Sequence, residues 1–181
     1  WQYTALRDEE HPLLPYNLDR ETKLRCFSPD AHGDLQETAA PLTLRGRLLG
    51  GCLDIIGGLA GTCFDRVEEF LKRYLDEPIL WFFESCDLNV FDMERVLWRL
   101  AHCGWFSRVG GFLIGRPLHF DEPLFGLDQY TAVLRRLEKY RVPIIMDADF
   151  GHLPPALPLV SGALATVARR GNTLRLSYDF H

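Results

Sequence analysis

Apolar and polar positions follow two different periods along most of this chain. Residues 79–83 form an uninterrupted apolar run, which is typical of a strand buried on both faces in a parallel sheet covered by helices. Leu127, Tyr130, Leu134 and Leu137 are separated by three or four residues, as on the buried face of a helix. The chain therefore contains both buried strands and amphipathic helices.

The predicted elements alternate in type. Strands are predicted at 42–49, 79–83, 110–115, 143–146, 158–167 and 173–179, and helices at 53–60, 65–75, 92–103 and 127–137. The last two strands turn back on each other at residues 170–172. This order predicts an α/β fold with a mainly parallel central sheet and an antiparallel edge pair.

The first 40 residues differ from the remainder. They carry eight acidic and four basic side chains and three prolines, with no helical or alternating period. We therefore expect residues 1–40 to form an irregular acidic arm or inter-domain loop on the surface, and residues 41–181 to form the α/β domain. A stretch of this length without its own elements favours packing against something outside the chain.

Composition and charge narrow the classes of partner. The 181 residues carry a formal net charge of −5 without a block rich in Lys and Arg, which argues against nucleic acid. No apolar run reaches the roughly 18 residues of a membrane-spanning helix, so no membrane partner is expected. Five cysteines without a CxxC pair favour reduced thiols in a cytoplasmic protein.

Two ionisable residues follow predicted strands. Glu84 comes directly after the run 79–83, and His152 lies just beyond the strand 143–146. The carboxyl ends of parallel strands form the rim where open sheets bind ligands. A Glu that accepts the Nδ1–H of a His orients the ring as a general base, which is two thirds of a nucleophilic triad. The alternative is that Glu84 caps a helix and His152 is a turn residue before two prolines.

The pattern lacks an evident nucleophile. No serine lies in a GxSxG elbow. Cys52, in a Gly-Gly-Cys-Leu-Asp segment, resembles a glutaminase-type elbow except that Asp54 occupies the last position; a small packed residue at a helix start is the alternative role. His102, His119 and His152 are far apart and form no HxH or HxxxH pair, and GxGxxG is absent, so no metal or other cofactor is expected.

Several motifs follow one another between about residues 44 and 165. They are Gly-Arg-Leu-Leu-Gly-Gly-Cys-Leu at 46–53, Leu-Ala-Gly-Thr at 59–62, Ile-Leu-Trp-Phe-Phe-Glu at 79–84, an Arg-Val-Leu to Gly-Trp-Phe helix at 95–106, Gly-Phe-Leu-Ile-Gly-Arg at 111–116 and Asp-Phe-Gly-His-Leu-Pro at 149–154. Together they resemble the C-terminal domain of LD-carboxypeptidases, a serine peptidase family that also contains the microcin C immunity proteins. In this resemblance Glu84 matches the triad glutamate and His152 the triad histidine.

The resemblance implies a swivelling β/β/α-type domain, with the serine and the oxyanion-hole amides in an N-terminal domain that precedes residue 1. It implies hydrolysis of the amide bond to a C-terminal D-amino acid in murein peptides, or of a related peptide or acyl amide, and an inactive chain when that domain is missing. The implied partners are the N-terminal domain of the same protein and a murein-type peptide, and a homodimer is left open.

A non-catalytic ligand-binding or interaction domain with the same fold is the alternative. It is suggested by Cys52, where the family usually has Asn, and by Ser85, where an acid often follows the glutamate. The catalytic assignment itself predicts a geometry: a Glu84 carboxylate oxygen should lie about 2.6–3.2 Å from a His152 ring nitrogen. Neighbouring parallel strands would bring the two residues to the same rim, under an open and partly apolar surface.

Overall fold

The computed structural model describes residues 1–4 and 8–180, which contain eight strands and four α-helices. The strands are β1 (Arg25–Pro29), β2 (Leu35–Glu37), β3 (Leu42–Cys52), β4 (Ile79–Glu84), β5 (Val109–Gly115), β6 (Ile144–Ala148), β7 (Leu164–Arg170) and β8 (Thr173–Asp179). The helices are α1 (Leu53–Leu59), α2 (Val67–Arg73), α3 (Val90–His102) and α4 (Gln129–Leu137). Within these described ranges no helix combines the length and the apolar character needed to cross a membrane.

All eight strands belong to one sheet, in the order β2-β1-β6-β5-β4-β3-β7-β8. The four central strands β6, β5, β4 and β3 are parallel to one another. The β7–β8 and β1–β2 pairs at the two edges are antiparallel. The predicted α/β fold with a mainly parallel centre and an antiparallel edge pair is therefore confirmed. Because the parallel strands are neighbours, their carboxyl ends share one rim of the sheet.

Strand β4 is buried along its whole length, as its apolar run predicts. Trp81 and Phe83 belong to a core cluster that includes residues of all four helices. Leu80 and Phe82 alternate with them and belong to a second cluster, whose described members lie on strands and loops. Helices therefore cover one face of β4 rather than both, and residues of β1, β3 and β7 form the apolar layer on the other face.

The structure corrects the prediction that residues 1–40 lack packed elements. Strand β1 pairs antiparallel with β6 inside the sheet, and β2 pairs with β1. Cys26 and Phe27 are buried, and the Arg25 guanidinium pairs with the Glu37 carboxylate at 2.7 Å. The pattern missed β1 because two adjacent apolar residues show no period, and because its partner β6 lies more than a hundred residues further along the chain. Residues 1–4 and 8–24 contain no helix or strand.

Several predicted boundaries also move, including the end of β3 at Cys52, the start of α3 and the start of β7. Helix α3 begins at Val90 because Asn89, rather than Asp92, is its N-cap: the Asn89 Oδ1 accepts hydrogen bonds from the backbone N–H groups of Phe91 and Asp92 at 3.0 and 3.1 Å. Strand β7 begins at Leu164, so that residues 158–163 form a loop before it. These changes do not alter the order of the elements.

Candidate functional site

Glu84 and Cys52 end two neighbouring parallel strands at the same level. They are register partners at the last position of the β3–β4 ladder. The Glu84 side chain is 10% exposed, so its carboxyl group lies at the base of the rim rather than in open solvent. The parallel register thus brings Cys52 to Glu84.

His152 reaches Glu84 by a crossing of the chain over β5. Strand β5 lies between β4 and β6, so the expectation that the strands of Glu84 and His152 are neighbours is wrong. After β6 the backbone passes over Gly115 so closely that a Cβ atom there would lie 2.4 Å from the Phe150 carbonyl oxygen. Gly151, with a φ of +112°, lies against the Glu84 side chain, where a Cβ atom would be 2.8 Å from Oε2.

The crossing segment is held in place on both sides of His152. Phe150 is 4% exposed and packs edge-on against Phe82, with ring centroids 6.2 Å apart. Beyond the histidine, the Leu157 N–H donates to the Asp149 carbonyl oxygen at 2.7 Å. The loop that carries His152 is therefore anchored by apolar packing and by a backbone hydrogen bond.

The expected contact between the two residues is present. His152 Nδ1 lies 2.7 Å from Glu84 Oε2, and the His152 side chain is 43% exposed. With Glu84 as a carboxylate, which only accepts hydrogen bonds, Nδ1 carries the hydrogen and Nε2 keeps a free lone pair. The arrangement can take up a proton at Nε2 and stabilise the resulting imidazolium through Glu84.

Cys52 does not have the environment of a nucleophilic thiolate. Burial, and then the negative charge of Glu84, raise the pKa of the Cys52 thiol to about 12. Its Sγ–H donates to Asp54 Oδ2 at 3.3 Å. The thiol is therefore protonated near neutral pH, which disfavours the role of nucleophile.

Asp54 is a structural acid that the sequence did not single out. Its carboxylate accepts the backbone N–H groups of Cys86 and Asp87 at 3.0 and 2.7 Å. Burial opposes ionisation, but these hydrogen bonds hold the pKa of Asp54 below its usual value. Asp54 thereby ties the start of α1 to the turn that follows Glu84. The two segments are more than 30 residues apart in the chain, so no local pattern indicates this contact.

Ser85 is turned away from the rim. It is fully buried, and its hydroxyl donates a hydrogen bond of 3.5 Å to the Leu88 carbonyl oxygen in the same turn. Its backbone carbonyl accepts the N–H of Leu118 at 3.0 Å. Ser85 is therefore a packed turn residue and is not placed to act as a nucleophile.

A buried arginine lies further along the same rim. Arg116, which directly follows β5, is 4% exposed and donates to the Asp149 carboxylate at 3.1 Å and to the Asp147 carbonyl oxygen at 3.0 Å. The Trp1 ring stacks on its guanidinium at 4.1 Å. A cavity of about 550 Å³ opens beside it, lined by Trp1, Asp19, Arg20, Glu21, Lys23, Arg116, Phe120, Tyr130 and Asp147.

Exposed apolar side chains follow both Cys52 and His152 in the sequence. Ile55 is 66% exposed on α1, three residues after Cys52. Leu157 and Val160 are 37% and 41% exposed in the loop that follows His152. A partly apolar surface around Glu84 and His152 stays a prediction.

The chain matches the model of the LD-carboxypeptidase C-terminal domain over residues 45–167. It is 28% identical over 135 residues to a predicted carboxypeptidase of Vibrio cholerae, a match that covers 72% of this chain and 37% of the relative. The chain thus spans well under two thirds of the length of this relative.

Solved structures show the same fold. The muramoyltetrapeptide carboxypeptidase from Oxalobacter formigenes superposes with a TM-score of 0.62 at 17% identity, over 89% of this chain and 51% of that one. The microcin C7 self-immunity protein superposes with a TM-score of 0.58 at 17% identity, over 88% and 51% of the two chains. Because the family model covers more than half of the residues and includes both Glu84 and His152, this chain belongs to the LD-carboxypeptidase C-terminal domain family.

Proposed function

We propose that this chain supplies the base and the orienting acid of a serine-type carboxypeptidase. The observation that carries the proposal is the 2.7 Å contact between His152 Nδ1 and Glu84 Oε2, which leaves the other edge of a half-exposed ring facing outward. A histidine whose Nδ1–H is held by a buried carboxylate is prepared for proton transfer at Nε2.

The nucleophile in this proposal is a serine of another domain of the same protein. The chain covers only 51% of the muramoyltetrapeptide carboxypeptidase that shares its fold, so residues outside this region complete that relative. In this chain Cys52 is a protonated thiol and Ser85 is buried, which leaves neither suited to attack a carbonyl. The rim around His152 would then face the domain that carries the serine.

The proposed reaction is hydrolysis of the amide bond to a C-terminal D-amino acid in a murein peptide, or of a related peptide or acyl amide. His152 Nε2 takes the proton from the serine hydroxyl as the oxygen attacks the carbonyl carbon, and Glu84 stabilises the imidazolium. The imidazolium then gives the proton to the leaving amine, and water attacks the acyl-enzyme by the same route. The proposal places the protein in the cytoplasm, where its five free thiols would stay reduced.

The test uses the full-length protein and a murein tetrapeptide, with release of D-alanine as the measured quantity. We expect His152→Ala to lower kcat by about 10²- to 10⁴-fold, the usual contribution of a positioned general base. His102→Ala is the matched control, since it removes an exposed imidazole that packs against the Trp98 ring on α3. Unchanged turnover in His152→Ala would refute the proposal. Tight binding of the peptide without any hydrolysis by the wild type is instead the result expected for a binding domain.

A further inference from the structure

Three side chains that are far apart in the sequence form one cluster of metal-binding groups. The Cys52 sulfur, a carboxylate oxygen of Glu84 and a ring nitrogen of His152 all lie within 4.8 Å of one another. The lack of HxH or HxxxH spacing predicts no metal site, but the parallel register of β3 and β4 and the crossing over Gly115 bring these three side chains together without any local motif.

We propose that Cys52, Glu84 and His152 form a binding site for a thiophilic divalent cation of the Zn²⁺ type. Thiolate, imidazole and carboxylate are the three side-chain ligands that Zn²⁺ uses in proteins, and three protein ligands with one open position are typical of an accessible site. A thiolate ligand disfavours Mg²⁺ and Ca²⁺, which prefer oxygen.

The geometry requires only small movements. Ligand atoms around tetrahedral Zn²⁺ lie about 3.3–3.6 Å apart, given Zn–S near 2.3 Å and Zn–N and Zn–O near 2.0–2.2 Å. Distances up to 4.8 Å must therefore shorten by about 1 Å. The His152 side chain is 43% exposed and can supply this rotation, whereas Glu84 is held at the base of the rim. The exposed side of His152 leaves the fourth position to water.

Charge favours a cation at this point. Asp54 lies beside the thiol, with its Oδ2 accepting the Sγ–H at 3.3 Å, and Glu84 lies on the other side. These two carboxyl groups disfavour a bare thiolate but attract a divalent ion. Binding breaks the S–H bond, the proton leaves to solvent and the sulfur lone pair enters the metal bond, with no change of oxidation state. Asp54 keeps its hydrogen bonds from the backbone of Cys86 and Asp87.

The consequence for activity rests on the proposed function. If Nε2 of His152 binds the ion, the lone pair that would accept the serine proton is occupied. If Nδ1 binds it, the hydrogen moves to Nε2, and the base is lost in the same way. Either mode predicts reversible inhibition by Zn²⁺, because a histidine that binds the cation cannot act as the base.

The binding test needs no substrate. The protein is first reduced with a phosphine in a buffer that does not chelate metals, and Co²⁺ is then titrated in. The measured signals are the thiolate-to-cobalt absorption and the visible bands of tetrahedral Co²⁺. Zn²⁺ is added at the end to displace the Co²⁺. We expect one equivalent to bind with both signals. Cys52→Ser and His152→Ala should each weaken binding by at least the ~10–100-fold that loss of an outer partner costs a metal site.

Cys103→Ser and His102→Ala are the matched controls, because they remove an exposed thiol and an exposed imidazole elsewhere. Absence of the thiolate band, or equal binding in Cys52→Ser and Cys103→Ser, would overturn the proposal; circular dichroism checks that each variant is folded.

Inhibition is measured separately, as Zn²⁺-dependent and EDTA-reversible loss of D-alanine release by the full-length protein. A protein that binds Co²⁺ through Cys52 but hydrolyses nothing retains the metal site and loses the proposed function. A protein that hydrolyses the peptide but shows no thiolate band loses the metal site alone.

Discussion

Phe150 passes over Gly115 at a distance that admits no side chain: a Cβ atom on Gly115 would lie 2.4 Å from the Phe150 carbonyl oxygen. This close approach allows the chain that leaves β6 to cross the end of β5 and to place His152 on Glu84, which ends β4. The dyad therefore depends on a glycine that takes no part in its chemistry.

Gly115→Ala is expected to displace the crossing segment. The added methyl group meets backbone and the Phe150 ring, so we expect overpacking to lower the free energy of unfolding by about 1–3 kcal/mol and kcat of the full-length protein to fall. Urea unfolding and D-alanine release measure the two effects. Gly58→Ala is the matched control, because a Cβ atom at Gly58 meets nothing within 4 Å and the substitution should stabilise α1 by about 0.4–1 kcal/mol. Equal stability of the two variants would contradict the role given to Gly115.

Glu84 and His152 are expected to act as one unit. Glu84→Gln keeps the shape of the side chain but cannot stabilise the imidazolium in the same way, and Glu84→Ala also leaves Nδ1 of His152 without its 2.7 Å partner. We expect both to reduce kcat, Glu84→Gln with the smaller loss of stability. The kcat of the double variant Glu84→Ala/His152→Ala should be about that of the slower single variant, since the effects of substitutions within a triad are not additive. Purely multiplicative losses in this double-mutant cycle would show that the two residues act independently.

The 181-residue chain alone is expected to release no D-alanine from murein tetrapeptide. Under the proposed function it supplies a base but no activated nucleophile, because the pKa of the Cys52 thiol is raised and Ser85 is fully buried. High-sensitivity detection of D-alanine after prolonged incubation checks this expectation. Release that disappears in Cys52→Ala would instead identify Cys52 as a nucleophile of the isolated chain.

The Cys52 thiol is expected to resist alkylation. A thiol with a pKa of about 12 is only ~10⁻⁴ thiolate at pH 8, and the thiolate is the reactive form. Iodoacetamide should therefore modify the exposed Cys63 and Cys103 well before Cys52, as measured by peptide mass spectrometry. Glu84→Gln removes a negative charge that raises the pKa of Cys52, so the thiol should react faster in this variant. Labelling of Cys52 at the rate of Cys63 in the wild type would contradict the raised pKa.

The sequence by itself determined the elements whose burial shows in a local period. The apolar run of β4, the helical spacing on α4 and the turn at 170–172 between β7 and β8 all correspond to elements of the structure. Glu84 and His152 could also be singled out, because each follows a strand and lies in a motif that resembles the family. Local period and motif are short-range properties, and a short stretch of sequence carries them completely.

The tertiary structure decided which of these elements are neighbours. Strand β1 pairs with β6, a pairing that no local pattern reveals. Strand β5 lies between β4, which ends in Glu84, and β6, which precedes His152. Cys52 joins Glu84 only because β3 and β4 pair in parallel with that register. Such pairings are set by the combined packing of residues far apart in the chain. A site formed by the ends of several strands therefore depends on the pairing of all those strands.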